Sequence, residues 1–138
     1  MDIEVSVENN PIPVTVLEIH GNIDSSTYEK FQSEVDQLIA DGAHHILIDL
    51  THVPFVSSAG LRALHTIFNK LRNTDRNNNL SDQDVRRGVS AGTYKSPHLK
   101  LLNLSRETRT TFELSGFSMF IETFDNREAA LASFQATN

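Results

Sequence analysis

Leu47-Ile48-Asp49-Leu50-Thr51-His52-Val53-Pro54-Phe55-Val56-Ser57-Ser58-Ala59-Gly60-Leu61-Arg62-Ala63-Leu64 decides the fold. It opens within a short apolar run, Ile46-Leu47-Ile48, rich in branched residues, as a strand covered on both faces would be. Pro54 has no N–H and disfavours the α region at Val53, so the strand cannot continue straight into a helix. Leu61, Leu64, Phe68 and Leu71 then recur at helical spacing. The stretch therefore reads as buried strand, sharp turn and amphipathic helix. Ser57 and Ser58 stand at the helix start, beside a sheet edge.

Upstream, Ile3, Val5 and Val7 alternate with polar residues, which predicts a half-buried strand. Asn9-Asn10-Pro11 signals a turn, and Val14, Val16, Leu17 and Ile19 give a second strand ending at His20-Gly21, so the pair reads as a hairpin. Ser26-Thr27-Tyr28-Glu29 has capping-box spacing and predicts a helix start. Phe31, Val35, Leu38 and Ile39 line one face of that helix, and Asp41-Gly42 ends it.

Downstream, the segment from Asn73 to Pro97 is polar and glycine-containing, which predicts a long surface insertion, either tolerated and mobile or a binding element, with a short helical piece around Asp82 to Arg87. Leu99, Leu101 and Leu102 form the next strand. Ser105 is a candidate N-cap, Phe112 and Leu114 anchor a helix, and Gly116 ends it. Met119-Phe120-Ile121 reads as a short strand. Asp125-Asn126-Arg127-Glu128 has acidic capping logic, with Asp125 leading, and Ala129, Ala130, Leu131 and Phe134 complete a last helix. Alternating strands and helices predict a single α/β domain over 1–138, with a mixed, mainly parallel sheet. Right-handed crossovers would put about four helices largely on one face.

Composition removes several function classes. A net charge of −6 disfavours a phosphate-backbone binder. The absence of cysteine excludes disulfides, thiol chemistry and Cys-ligated zinc, and fits a reducing cytoplasm. No signal-peptide pattern opens the chain, and no apolar run reaches the ~20 residues of a membrane span. There is no Gly-x-Ser-x-Gly elbow, Walker loop or dinucleotide fingerprint, so nothing supports an enzyme or a nucleotide-binding module. His44-His45, His20, His52, His65 and His98 show no metal-ligand spacing, so no metal and no cofactor is expected.

Asp49-Leu50, the apolar link and Ser57-Ser58-Ala59-Gly60-Leu61-Arg62 followed by an apolar helix resemble the signature of the sulphate transporter and anti-sigma factor antagonist (STAS) domain. The similarity is greatest to the free-standing bacterial anti-sigma-factor antagonists and covers most of the chain outside the insertion. It implies a STAS-like sandwich that acts by binding. Unphosphorylated, such a protein binds an anti-sigma factor with serine kinase activity and frees a sigma factor. The kinase phosphorylates it using ATP, and a metal-dependent serine phosphatase reverses the step. In family members so regulated the acceptor lies two residues before the signature glycine, which here is Ser58. Many antagonists resemble Asp-Ser-Ser-Gly at this point. Here Ser57 stands where the aspartate would be and Ala59 where the second serine would be.

Ser58 has two compatible roles, the second of them implied chiefly by the resemblance. One is an N-cap hydroxyl, stabilising by ~1 kcal/mol. The other is a phosphoacceptor, because a helix N-terminus favours an anion and a phosphate adds about −1.5 to −2 charges to the surface. Ser57 reads as a turn serine bonding locally. Gly60 reads as the site of a close approach or of unusual backbone near the helix start, and equally as a routine glycine. Asp24 lies in a loop that should leave the same sheet end as the Ser58 turn, either as an N-cap or Asx-turn residue or as partner surface. Asp24, Ser57, Ser58, Ala59, Gly60, Leu61 and Arg62 form the expected partner surface. The alternative within the family is an adaptor bound to a transporter ATPase, which uses the same helix surface without phosphorylation. The sequence carries no mark of oligomeric state.

Overall fold

The structure is a computed structural model, and it describes residues 1–9, 12–74 and 96–135. Strands β1 (Asp2–Asn9), β2 (Pro13–His20), β3 (Ile46–His52), β4 (Leu99–Leu102) and β5 (Glu122–Phe124) lie in that spatial order in one sheet. β1 and β2 pair antiparallel, and every later pair is parallel. The mixed, mainly parallel sheet is the one expected.

Helices α1 (Tyr28–Ala40), α2 (Ser58–Thr74) and α3 (Arg106–Leu114) each cross from one parallel strand to the next. The sheet grows in one direction throughout, so crossovers of one hand must all lie on the same face. Phe31 and Val35 of α1, Leu64, Ile67 and Phe68 of α2 and Phe112 of α3 accordingly share one core with Leu17, Ile19, Ile46, Ile48 and Leu50. Helix α4 (Arg127–Gln135) follows the last strand and crosses to nothing. It folds back on the other face, where Ala130, Leu131 and Phe134 pack on Val14, Val16, Leu47 and Leu102.

Five local expectations need correction. Ser26 does not cap α1: its hydroxyl donates to Asp24 Oδ1 at 2.7 Å, and the N-cap position falls to Thr27. Val5 and Val7 are 44% and 55% exposed, so β1, an edge strand, buries less than its alternation implies. Leu114 is 84% exposed at the last turn of α3, leaving Phe112 as the anchor. Met119-Phe120-Ile121 is not a strand. Phe117–Met119 form a 3₁₀ turn after Gly116, which takes a left-handed φ of 86°, and pairing with β4 begins at Glu122. Asn126, not Asp125, caps α4 by accepting from the Ala129 amide at 2.9 Å.

The caps at Ser105 and Gly42 are as expected. Ser105 Oγ accepts from the Thr108 amide at 3.1 Å, and Gly42 has a φ of 106°. The expected insertion begins inside α2, which runs to Thr74. Its remainder, including the helical piece at Asp82 to Arg87, lies outside the described residues up to Ser96, as do Asn10 and Pro11 of the first turn.

Candidate functional site

The turn between β3 and α2 is held on two sides. The Ile23 amide donates to Phe55 O at 3.1 Å and the Ser57 amide to Ile23 O at 2.9 Å, with Ile23 and Val56 forming a parallel bridge. This brings the Asp24 loop against the serine turn, as adjacent parallel strands leaving one sheet end require. On the other side, the Ser105 hydroxyl donates to Pro54 O at 2.9 Å. Gly60 is what permits the closeness. A Cβ there would stand 2.8 Å from Ile23 O and 2.7 Å from Val56 Cγ1. No side chain fits at such distances without displacing backbone, so this helix start needs glycine.

The serines divide their roles in a way that corrects the N-cap reading of Ser58. Ser57 stands just before the helix, its carbonyl accepting from the Leu61 amide at 2.9 Å and its hydroxyl from the Gly60 amide at a long 3.4 Å. Ser57 is thus the capping residue and half-buried. Ser58 is the first residue of α2 and exposed. No hydrogen bond of its hydroxyl lies among the described residues. The amides at the start of α2 have no partners one turn back, so the exposed hydroxyl sits at the positive end of the helix dipole.

The other expected surface residues separate into two groups. Arg62 is exposed and stands four residues after Ser58, one helical turn along the same side. Asp24 is half-buried; the Ser26 hydroxyl and amide, with Thr27, hold its carboxyl below the usual carboxylate range. Ala59, Gly60 and Leu61 are buried and point inward, so they shape the turn from behind. Sequence reasoning missed Phe55, 44% exposed between Pro54 and the serines. An aromatic residue following a turn proline, outside the helical apolar spacing, was the available signal.

A second group also escaped the sequence. Glu18, His20 and His52 meet across β2 and β3, and their ligand atoms all lie within 4.8 Å of one another. Their sequence spacing carries no metal signature, because a strand pairing and not a local motif brings them together.

The chain is similar to known proteins in sequence and in fold. BtrV of Bordetella bronchiseptica, assigned as an anti-sigma factor antagonist, is 26% identical over 117 residues, covering 85% of this chain and 83% of BtrV. A crystal structure of a Thermotoga maritima protein with the same assignment superposes with a TM-score of 0.72 at 13% identity, covering 96% of this chain and 94% of that one. The Bacillus cell-fate determinant SpoIIAA in its phosphorylated form gives a TM-score of 0.60 at 18% identity, covering 94% and 97%. At such identities the structural likeness establishes the fold, which is the STAS-like sandwich expected. Among the described residues no helix is long and apolar enough to cross a membrane. The STAS-domain model matches residues 3–83, and the chain belongs to the STAS-domain family.

Proposed function

We propose that this protein is an anti-sigma-factor antagonist of a partner-switching pathway, controlled by phosphorylation of Ser58. The observation that carries the reading is the division of labour between the serines. Ser57 caps α2, so Ser58 presents a hydroxyl with no structural task at an exposed helix start. A phosphate there meets the amide end of the dipole and has Arg62 one turn along, while it places about −1.5 to −2 charges on the docking surface. The names of BtrV and phosphorylated SpoIIAA support the same role.

The chain itself supplies a docking surface and a phosphoacceptor rather than a catalytic centre. Its partners are a cytoplasmic anti-sigma factor with serine kinase activity and the serine phosphatase that reverses its action. Phe55, Ser58 and Arg62 are the exposed contacts. Asp24 borders them, and Ser57, Ala59, Gly60 and Leu61 hold the backbone that presents them.

The test is phosphorylation by the cognate kinase, with the modified peptide mapped by mass spectrometry. Ser58→Ala should accept no phosphate and bind the kinase constitutively. Ser58→Asp should bind more weakly, and only in part, since it adds about one charge against nearly two. Ser57→Ala should still be phosphorylated. Phosphate on Ser57 with Ser58 untouched overturns the assignment. Phosphate on neither serine, with tight binding to a transporter ATPase, replaces this reading with the adaptor one.

A further inference from the structure

We propose that Glu18, His20 and His52 form a binding site for a zinc-like divalent cation on the sheet face opposite α1, α2 and α3. Nothing in the proposed partner switch uses these side chains, and the proposal stands independently of it.

An irregularity in strand pairing builds the site. Glu18 of β2 pairs with Asp49 of β3, but His20 pairs with His52, so β3 advances three residues while β2 advances two. Such a bulge re-aims the side chains beyond it. Here it sets His52 against His20, with ring centroids 4.6 Å apart and planes 10° from parallel. Both rings point the same nitrogen at one carboxylate oxygen. His20 Nε2 lies 3.2 Å and His52 Nε2 3.4 Å from Glu18 Oε1.

The spacing suits a metal. Ligand bonds of 2.0–2.2 Å in a tetrahedral zinc site put neighbouring ligand atoms about 3.3–3.6 Å apart. The two nitrogen–oxygen distances lie close to that edge, and all three ligand atoms fall within 4.8 Å of one another. The contacts are less good as hydrogen bonds. His20 Nε2 is sealed from solvent and, despite its proximity to Glu18, makes no hydrogen bond among the described residues. A buried polar nitrogen left so is costly, and coordination would satisfy it.

Two imidazoles and a carboxylate select borderline first-row ions such as zinc over magnesium or calcium, which prefer all-oxygen shells. The side chains of His20, Glu18 and His52 are 36%, 31% and 53% exposed, so the group lies at the surface, and movement of the exposed His52 ring would admit an ion to the covered His20 nitrogen. Bound there, the ion would clamp the carboxyl ends of β2 and β3, where the Gly21 amide already donates to His52 O at 3.1 Å.

The experiment is calorimetric titration of zinc into the full chain, free of any histidine tag and stripped with chelator. Cobalt absorption then reports coordination geometry. One zinc per chain is expected. His52→Ala and Glu18→Gln should each weaken it by at least ~10-fold, the lower range for losses around metal sites. His52 is exposed, so its removal should leave the chelator-treated protein folded by circular dichroism. His44→Ala, in the separate histidine group beside His98, should bind as wild type does. Zinc should also shift the imidazole NMR signals of His20 and His52 but not of His65. No saturable uptake by wild type, or unchanged affinity in His52→Ala, overturns the site.

Discussion

The two faces of the sheet are drawn from alternate residues of the same strands, yet they are built differently. Toward α1, α2 and α3 point Leu17, Ile19, Ile46, Ile48, Leu50, Leu99 and Leu101, an unbroken apolar surface. Toward α4 the intervening residues are mixed. Val16, Leu47 and Leu102 are apolar, but Glu18, Asp49 and Lys100 occupy the same side. Each polar group there has to be answered individually. Lys100, 1% exposed, reaches Ser133 Oγ at 3.0 Å and Glu122 at 3.4 Å, with the Phe134 ring 5.0 Å from its ammonium. Asp49 accepts from the amide and hydroxyl of Thr51. The first face contributes the larger share of hydrophobic stability; the second carries more titratable and metal-ligating chemistry.

Truncating matched leucines on the two faces tests that division and should give the largest effects. Leu64 of α2 is 1% exposed in the large core, and Leu131 of α4 is 9% exposed in the small one. Leu64→Ala should fall toward the upper end of the ~2–5 kcal/mol range for such cavities, and Leu131→Ala toward its lower end. Phe68→Ala should cost ~3–5 kcal/mol by the same mechanism. Urea denaturation measures all three. Equal losses for the two leucines would mean that α4 is as deeply integrated as the crossover helices.

A smaller effect is expected where the apolar face runs into the serine turn. Gly60→Ala places a methyl 2.8 Å from Ile23 O and 2.9 Å from Ile23 Cγ2. Relieving that overlap should cost about 1–3 kcal/mol, partly offset by the ~1 kcal/mol that alanine gains over glycine within a helix. The net sign should be destabilising, and the Asp24 loop should separate from the turn. A Gly60→Ala protein more stable than wild type in urea would show that the loop yields freely and that the close approach is incidental.

What could be read from the sequence follows the same division. The strand–turn–helix around Ser58 was legible because a strand covered on both faces leaves the unbroken apolar run Ile46-Leu47-Ile48 and the large core imposes a period near 3.6 on Leu61 to Leu71. The Asp24 loop was placed correctly from topology alone. The mixed face left weaker marks. Lys100 sits between leucines, and nothing local says that its ammonium is buried. Glu122-Thr123-Phe124 was missed as a strand because the preceding Met119-Phe120-Ile121 is more apolar, although Phe120 and Ile121 bury themselves beyond a 3₁₀ turn. The Glu18–His20–His52 group depends on a bulge, which no spacing rule encodes. At the site, the spacing located both serines but could not tell which one caps the helix, because adjacent hydroxyls compete for the same amides.

The smallest effect belongs to the mixed face and appears in the pH dependence of stability. His45 lies at the amino end of β3, its ring edge-on to Phe134 of α4 at 5.7 Å and 5.3 Å from the His98 ring. Burial pushes its imidazole below the ordinary histidine range, and His98, His44 and Lys100 add to that. The Pro97 carbonyl, 3.3 Å from Nδ1, opposes the shift only in part. A base with a lowered pKa in the folded state takes up its proton more readily when unfolded. Its contribution is therefore fully present above the unfolded value of about 6.5 and is lost progressively as pH falls below it, toward the lower folded value. His45→Asn keeps an amide donor for Pro97 and removes the titration. The variant's unfolding free energy in urea should track that of wild type, apart from a constant offset, above about pH 6.5 and decline less steeply below it. Parallel profiles across the whole range would show that His45 protonates alike in both states, and that the mixed face does not set the acid sensitivity of this fold.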